Sequence, residues 1–234
     1  MKFRGWSTRQ NKHAPGQLYS FEDLSEEEID AHTGIDWYDN FKLTDAIRPS
    51  WDVTVKPVEG FQHHSTFNKY LQKDVPVITA SITRKKLWDL FLNLAEPFSD
   101  MVDIDIEHAT ENRDITVWTK YTGEDIETIT LPSVLNEYED FLVNDGVTKI
   151  TIIDQNTESS IQLDDHKFLI LTGAEYETRF REVLQEAGVS ERRDMQFIDD
   201  EEHIHYEHPD SQELQELLLR ISAEKEDEND AFFP

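Results

Sequence analysis

The stretch His203-Ile204-His205-Tyr206-Glu207-His208 is where this chain places most of the groups that could do chemistry. Side chains of an extended segment alternate, so His203 and His205 project to one side. Neutral imidazole is the commonest protein ligand for transition metals, and two on one face can pinch an ion. Glu201, Glu202 and Glu207 stand close enough in sequence to complete a shell. His108, which follows Glu107 as His203 follows Glu202, joins the candidate set by analogy. The expected metal ligands are therefore His203, His205, His208, Glu202, Glu207 and His108, around a divalent metal such as zinc.

The hexapeptide spacing resembles the His-x-His-x-Asp-His ligand motif of the metallo-β-lactamase fold, with Glu207 where that motif has Asp. The resemblance covers six residues. That fold follows its motif with further His and Asp ligand segments, whereas the residues after His208 contain no His. Its activity is therefore not carried over.

Other chemistries are excluded by composition. There is no cysteine, which removes disulfides, thiolate catalysis and cysteine-bound zinc or iron–sulfur sites. Eight glycines are too few and too scattered for a glycine-rich phosphate loop, and no Gly-x-Ser-x-Gly elbow occurs. With 50 acidic residues, chance pairing of carboxylates is certain, so a glycosidase-type pair carries no information. The formal net charge of −28 repels phosphate backbones and anionic membrane surfaces and attracts cationic partners or divalent ions. No run of eighteen apolar residues is present, and the basic start lacks the apolar core of a signal peptide, so a cytoplasmic address is expected. The five Trp and thirteen Phe argue against global disorder.

The elements that must position these groups read as α+β: a mixed sheet with helices packed on it. Residues 1–20 form a basic arm with Lys2, Arg4, Arg9 and Lys12 and no acid, suited to lie back on the acidic body with Phe3 and Trp6 as anchors. Residues 21–222 read as a single domain, with 51–125 and 126–222 as its candidate halves, and 223–234 as an acidic tail ending in Phe232-Phe233. Ser25 followed by three acids suits a first helical turn. Residues 51–55 alternate as a strand, and His63-His64 sit in the following loop. Residues 76–82 are a strand, Thr83 an N-cap, and Leu87, Phe91, Leu94 and Phe98 the stripe of a helix, its apolar face widened by Trp88 and Leu90. Residues 101–107 and 115–121 follow as strands.

Pro132 opens a further helix, which Gly146 ends in a left-handed conformation. A hairpin is expected around Asn156 and Thr157, then a buried strand at 168–171. A helix stripe from Tyr176 to Ala187 closes at Gly188, and residues 195–198 are the next strand. Asp210 and Glu213 have capping-box spacing before a last helix with Leu214, Leu217, Leu218 and Ile221 on one face.

Residues 77–108 and 168–203 share the order strand, helix, strand, acid, His, which suggests two related units. A right-handed crossover would make 168–171 and 195–198 parallel and set the hexapeptide at the carboxyl end of the sheet. On that topology His166 falls at the opposite end and stays outside the cluster. Arg84-Lys85-Lys86 opens a helix, and its positives are expected to pair with the acidic majority rather than hold an anion.

Two function classes follow. The first, favoured because no catalytic signature is complete, is a non-catalytic module that binds a basic protein through its acidic face. The alternative is a metal-dependent hydrolase built on the His cluster.

Overall fold

A computed structural model describes residues 5–7, 21–68, 72–112, 115–209 and 212–226. Their centre is an eight-stranded sheet of β5 (Gly60–Asn68), β6 (Lys73–Ser81), β7 (Met101–Asn112), β8 (Ile115–Glu127), β9 (Thr148–Asp154), β10 (Ser159–Leu163), β11 (Phe168–Thr172) and β13 (Glu224–Lys225). The spatial order is β13-β8-β7-β9-β10-β11-β6-β5, and all adjacent pairs run antiparallel. With helices on the sheet, the class is α+β.

The register explains how the sheet holds together. Ile104, Ile152, Ile161, Leu171 and Ile78 lie opposite one another across five strands. Ile106, Ile150, Leu163, Leu169, Ala80 and Phe61 form a second such row. Every residue in both rows is buried. Because strand side chains alternate, a slip of one residue would turn either row to the wrong face, so the pairing is strongly specified.

Helices cover these rows. They are α2 (Arg84–Ala95), α3 (Leu131–Leu135), α4 (Glu139–Asn144), α5 (Glu177–Glu186) and α6 (Gln212–Arg220). Leu87, Phe91 and Leu94 of α2, Phe180 and Leu184 of α5, and Leu217 of α6 join the sheet rows in one cluster. Gly188, at φ +79°, ends α5 as expected, with its N–H and that of Val189 returning to the last turn. Ser25 caps α1 (Glu26–Thr33) in a reciprocal capping box with Glu28. Thr83 occupies the N-cap of α2, but its hydroxyl serves the strand Phe41–Lys42 instead, accepting from the Lys42 N–H. Arg84 and Lys86 pair with Glu139 and Glu59, and Lys85 lies over the Trp37 ring, so this basic cluster is spent within the molecule.

A smaller layer lies beside the sheet. It contains a three-stranded sheet of β1 (Gly5–Ser7), β12 (Ile204–Tyr206) and β4 (Ile47–Arg48), and a two-stranded ribbon of β2 (Trp37–Tyr38) and β3 (Phe41–Lys42). Gly5–Ser7 of the basic arm thus pairs with Ile204–Tyr206. The remainder of the arm, Asp210 and the Phe232-Phe233 tip lie outside the described residues.

Several expectations are corrected. Residues 51–55 are a turn, because Ser50 Oγ bonds Asp52 and receives the Thr54 N–H, a local alternative to a sheet ladder. His63 and His64 lie within β5, an edge strand whose polar, exposed residues hide its period. Residues 195–198 are not a strand. The Asp200 carboxylate takes the Phe197 N–H, and a short 3-10 turn, Ile198–Asp200, forms instead. The second strand–helix–strand unit therefore lacks its closing strand, and the proposed parallel partner of 168–171 does not exist. Gly146 has no positive φ. It is needed for space, since a Cβ there would come within 2.3 Å of the Ala46 carbonyl and 3.0 Å of the Tyr206 nitrogen.

Candidate metal centre

His203, just before β12, and His205 within it flank Ile204 and face the same way, as alternation requires. Both are buried. The third member is His166. β10 and β11 form a hairpin whose connection is Asp164-Asp165-His166-Lys167. Its geometry is fixed locally: Asp164 Oδ1 accepts the Phe168 N–H at 2.7 Å, the Lys167 N–H returns to the Asp164 carbonyl, and Lys167 takes φ +63°. That tight turn thrusts His166 toward β12.

The three rings form a nearly equilateral triangle, with centroids 4.9 Å (166–203), 4.8 Å (166–205) and 4.9 Å (203–205) apart. Nε2 of His166 and Nε2 of His203 are 3.2 Å apart. One ligand nitrogen from each of the three lies within 4.8 Å of the others. A tetrahedral ion with nitrogens at about 2.0–2.1 Å sets them roughly 3.3 Å apart.

The other ring nitrogens are all committed to oxygen. His203 Nδ1 is 2.7 Å from the Glu201 carbonyl and His205 Nδ1 is 2.6 Å from the Gly146 carbonyl. Carbonyls only accept, so both Nδ1 atoms carry the proton and both Nε2 atoms present lone pairs. His166 Nδ1 faces Asp164 Oδ2 at 3.3 Å and Asp165 Oδ1 at 3.4 Å. Oxygen partners of this kind fix the tautomer and the ring plane of metal-binding histidines. His205 Nε2 is buried with no hydrogen-bond partner, a costly arrangement unless something else meets it.

The electrostatics follow the same pattern. Burial works against a charged His166, but Asp164 and Asp165 outweigh it by hydrogen bonding and attraction and push it up to about 10. Burial pushes His203 down to about 4, with His166 adding repulsion. Burial, His166 and His203 together push His205 down to about 3. A protonated His166 thus donates to His203 Nε2 in the metal-free protein, and two neutral imidazoles stand beside it.

The triad opens on a cavity of about 340 Å³. Trp118, Lys149, Asp165, Asp199, Asp200 and Glu201 also line it. It lies on the sheet face opposite α2–α6: Lys149 alternates with the core residue Ile150, and Ala109, another lining residue, alternates with His108. Below it, a second apolar cluster of Tyr38, Phe41, Leu43, Ile47, Phe168 and Ile198 supports the layer, and Phe168 stacks on His166 at 5.7 Å.

Of the residues predicted from sequence, His203 and His205 meet and the other four do not. His108 shares parity with Ile104 and Ile106, so it turns to the helix face and bonds Thr148 Oγ1 at 2.8 Å. His208 packs edge-on against Phe141, with Nε2 3.6 Å from Asp140. Glu202 accepts the Phe21 N–H at 3.2 Å, and Glu207 is exposed. His166, set aside on the crossover topology, completes the triad because β11 is a hairpin partner of β10. The signal that finds it is the four-residue gap between two apolar strands, Leu163 to Phe168, which specifies a hairpin.

Comparison with protein families, curated proteins and solved structures finds no match to this chain.

Proposed function

We propose that this protein is a metal-dependent hydrolase that holds one divalent transition metal, zinc in the first instance, on Nε2 of His166, His203 and His205. The observation that carries the reading is the convergence of three imidazoles whose Nδ1 atoms are all held by oxygen, with His205 Nε2 buried and otherwise unmet. Three protein ligands beside a cavity match catalytic rather than structural zinc, which leaves the fourth position to water. A metal held by His166, His203 and His205 would supply Lewis-acid chemistry, lowering the pKa of a water it binds to about 7 or polarising a carbonyl or phosphoryl oxygen. Asp164 and Asp165 orient His166, and the carbonyls of Glu201 and Gly146 orient the other two.

The test is hydrolysis of activated ester, anilide and phosphodiester substrates by zinc-loaded and chelator-treated protein, with His205→Ala beside them. Metal-dependent turnover that disappears in His205→Ala supports the proposal. Metal-loaded protein no faster than free zinc on every substrate contradicts it.

The net charge of −28 motivates a second reading, an acidic surface that recruits a basic protein. Charge-led capture weakens as salt rises, so partners retained equally at high and low salt would count against it.

A further inference from the structure

We infer that the cavity over the triad takes a small ligand carrying an amine beside the group that reaches the metal, and discriminates against anionic ligands of the same size. The inference rests on the metal reading of His166, His203 and His205.

The charges around the cavity are unevenly satisfied. Among the described residues that line the cavity, Lys149 is the one Lys or Arg, and it is already engaged: its Nζ is 3.5 Å from Asp165 and 4.1 Å from the centre of the Trp118 ring. Asp165 also lies 3.4 Å from His166. These groups neutralise one another. Asp199, Asp200 and Glu201 remain, three consecutive carboxylates on the 3-10 turn and the residue after it, all lining the same cavity. Asp200 receives the Phe197 N–H, while Asp199 and Glu201 have no ion-pair partner among the described residues.

Unpaired carboxylates at the rim of a concave site focus a negative field into it and concentrate cations there. A +2 ion on three neutral imidazoles offsets two of the three remaining carboxylate charges, and the lining stays net negative. At about 340 Å³ the cavity is at the lower end for small-molecule sites, which suits a ligand no larger than an amino-acid derivative. Trp118 adds an aromatic face that already receives an ammonium from Lys149 and can receive another.

The test holds the metal-binding group constant and varies the charge. Cobalt(II) is loaded into the full chain and its visible absorption is titrated with lysine hydroxamate, acetohydroxamate and succinate monohydroxamate, which carry amines, no charge and a carboxylate respectively beside the hydroxamate, in the wild type and in a double variant, Asp199→Asn with Glu201→Gln. Asp200 is kept because it caps its turn. The expected order is lysine over acetyl over succinyl, with at least tenfold between the extremes, shrinking to less than threefold in the double variant. Equal binding, preference for succinate monohydroxamate, no response to any hydroxamate by the cobalt-loaded protein, or an undiminished preference in the variant would overturn the inference. Failure to bind cobalt at all would instead overturn the metal site itself, and elemental analysis of the same samples separates the two failures.

Discussion

The two faces of the central sheet are built on opposite terms. On the helix face, in-register rows of Ile, Leu, Ala and Phe are sealed by apolar stripes from five helices. On the other, buried His203, His205, Arg48 and Lys167 are held by hydrogen bonds to carbonyls, and buried Asp164 accepts the Phe168 N–H: Arg48 alone reaches the carbonyls of Thr33, Thr44 and Ile47. Burial of apolar area stabilises the first, at about 25 cal/mol per Å². The second contributes little net stability per bond and is expensive to leave half-made. The difference separates the part that makes the fold from the part that makes a site.

That separation can be broken deliberately. His205→Ala is expected to lower zinc affinity at least a hundredfold, because it removes one ligand in three. Its cost to stability in chelator should stay at about 1–3 kcal/mol, because the Gly146 carbonyl loses its donor while a buried nitrogen without a partner is also removed. Competition against a chromogenic chelator and denaturant titration check the two halves. Phe91→Ala, fully buried on α2, should do the reverse: about 3–5 kcal/mol of stability lost, with metal stoichiometry retained by whatever fraction is folded.

Gly146→Ala lies where the two regions meet. Its methyl group would press on the Ala46 carbonyl and on Tyr206, and Gly146 itself supplies the carbonyl that orients His205. A loss of about 1–3 kcal/mol is expected from overpacking, together with weaker zinc binding.

Smaller again is the pH dependence of the metal-free protein. His203 and His205 are held down, to about 4 and about 3, from an ordinary value of 6.5. The unfolded chain therefore binds more protons as pH falls below about 6.5, and stability is lost toward pH 3. His166 is raised to about 10, so its stabilising contribution is complete below about 6.5 and is lost as pH rises to about 10. Unfolding midpoints in chelator should peak near neutral pH and fall on both sides. Zinc should flatten the alkaline limb, since a metal-bound His166 carries no proton on Nε2. A flat profile in chelator would contradict the electrostatic picture of the triad.

The same separation explains what could be read in advance. The stripe of α2, the alternation of β7, the Asn156–Thr157 hairpin and the Gly188 cap are local patterns whose period or backbone need is written in adjacent residues. Two of the three triad histidines were legible for the same reason, being two apart in one extended segment. The third was not, because its place depends on long-range topology: the short apolar run at 195–198 mimicked a parallel strand, and the supposed crossover sent His166 to the wrong end. His108 failed by parity, since the register that puts Ile106 in the core takes His108 with it. Polar turns such as Ser50–Thr54 satisfy themselves through side chains and leave no periodic trace.

The most direct test of the central claim is metal stoichiometry after zinc loading and exhaustive dialysis, measured side by side in the wild type, His166→Ala and His108→Ala. One zinc per chain is expected in the wild type and in His108→Ala, and close to none in His166→Ala. No retained zinc in the wild type, or zinc lost with His108 and kept without His166, would contradict the triad.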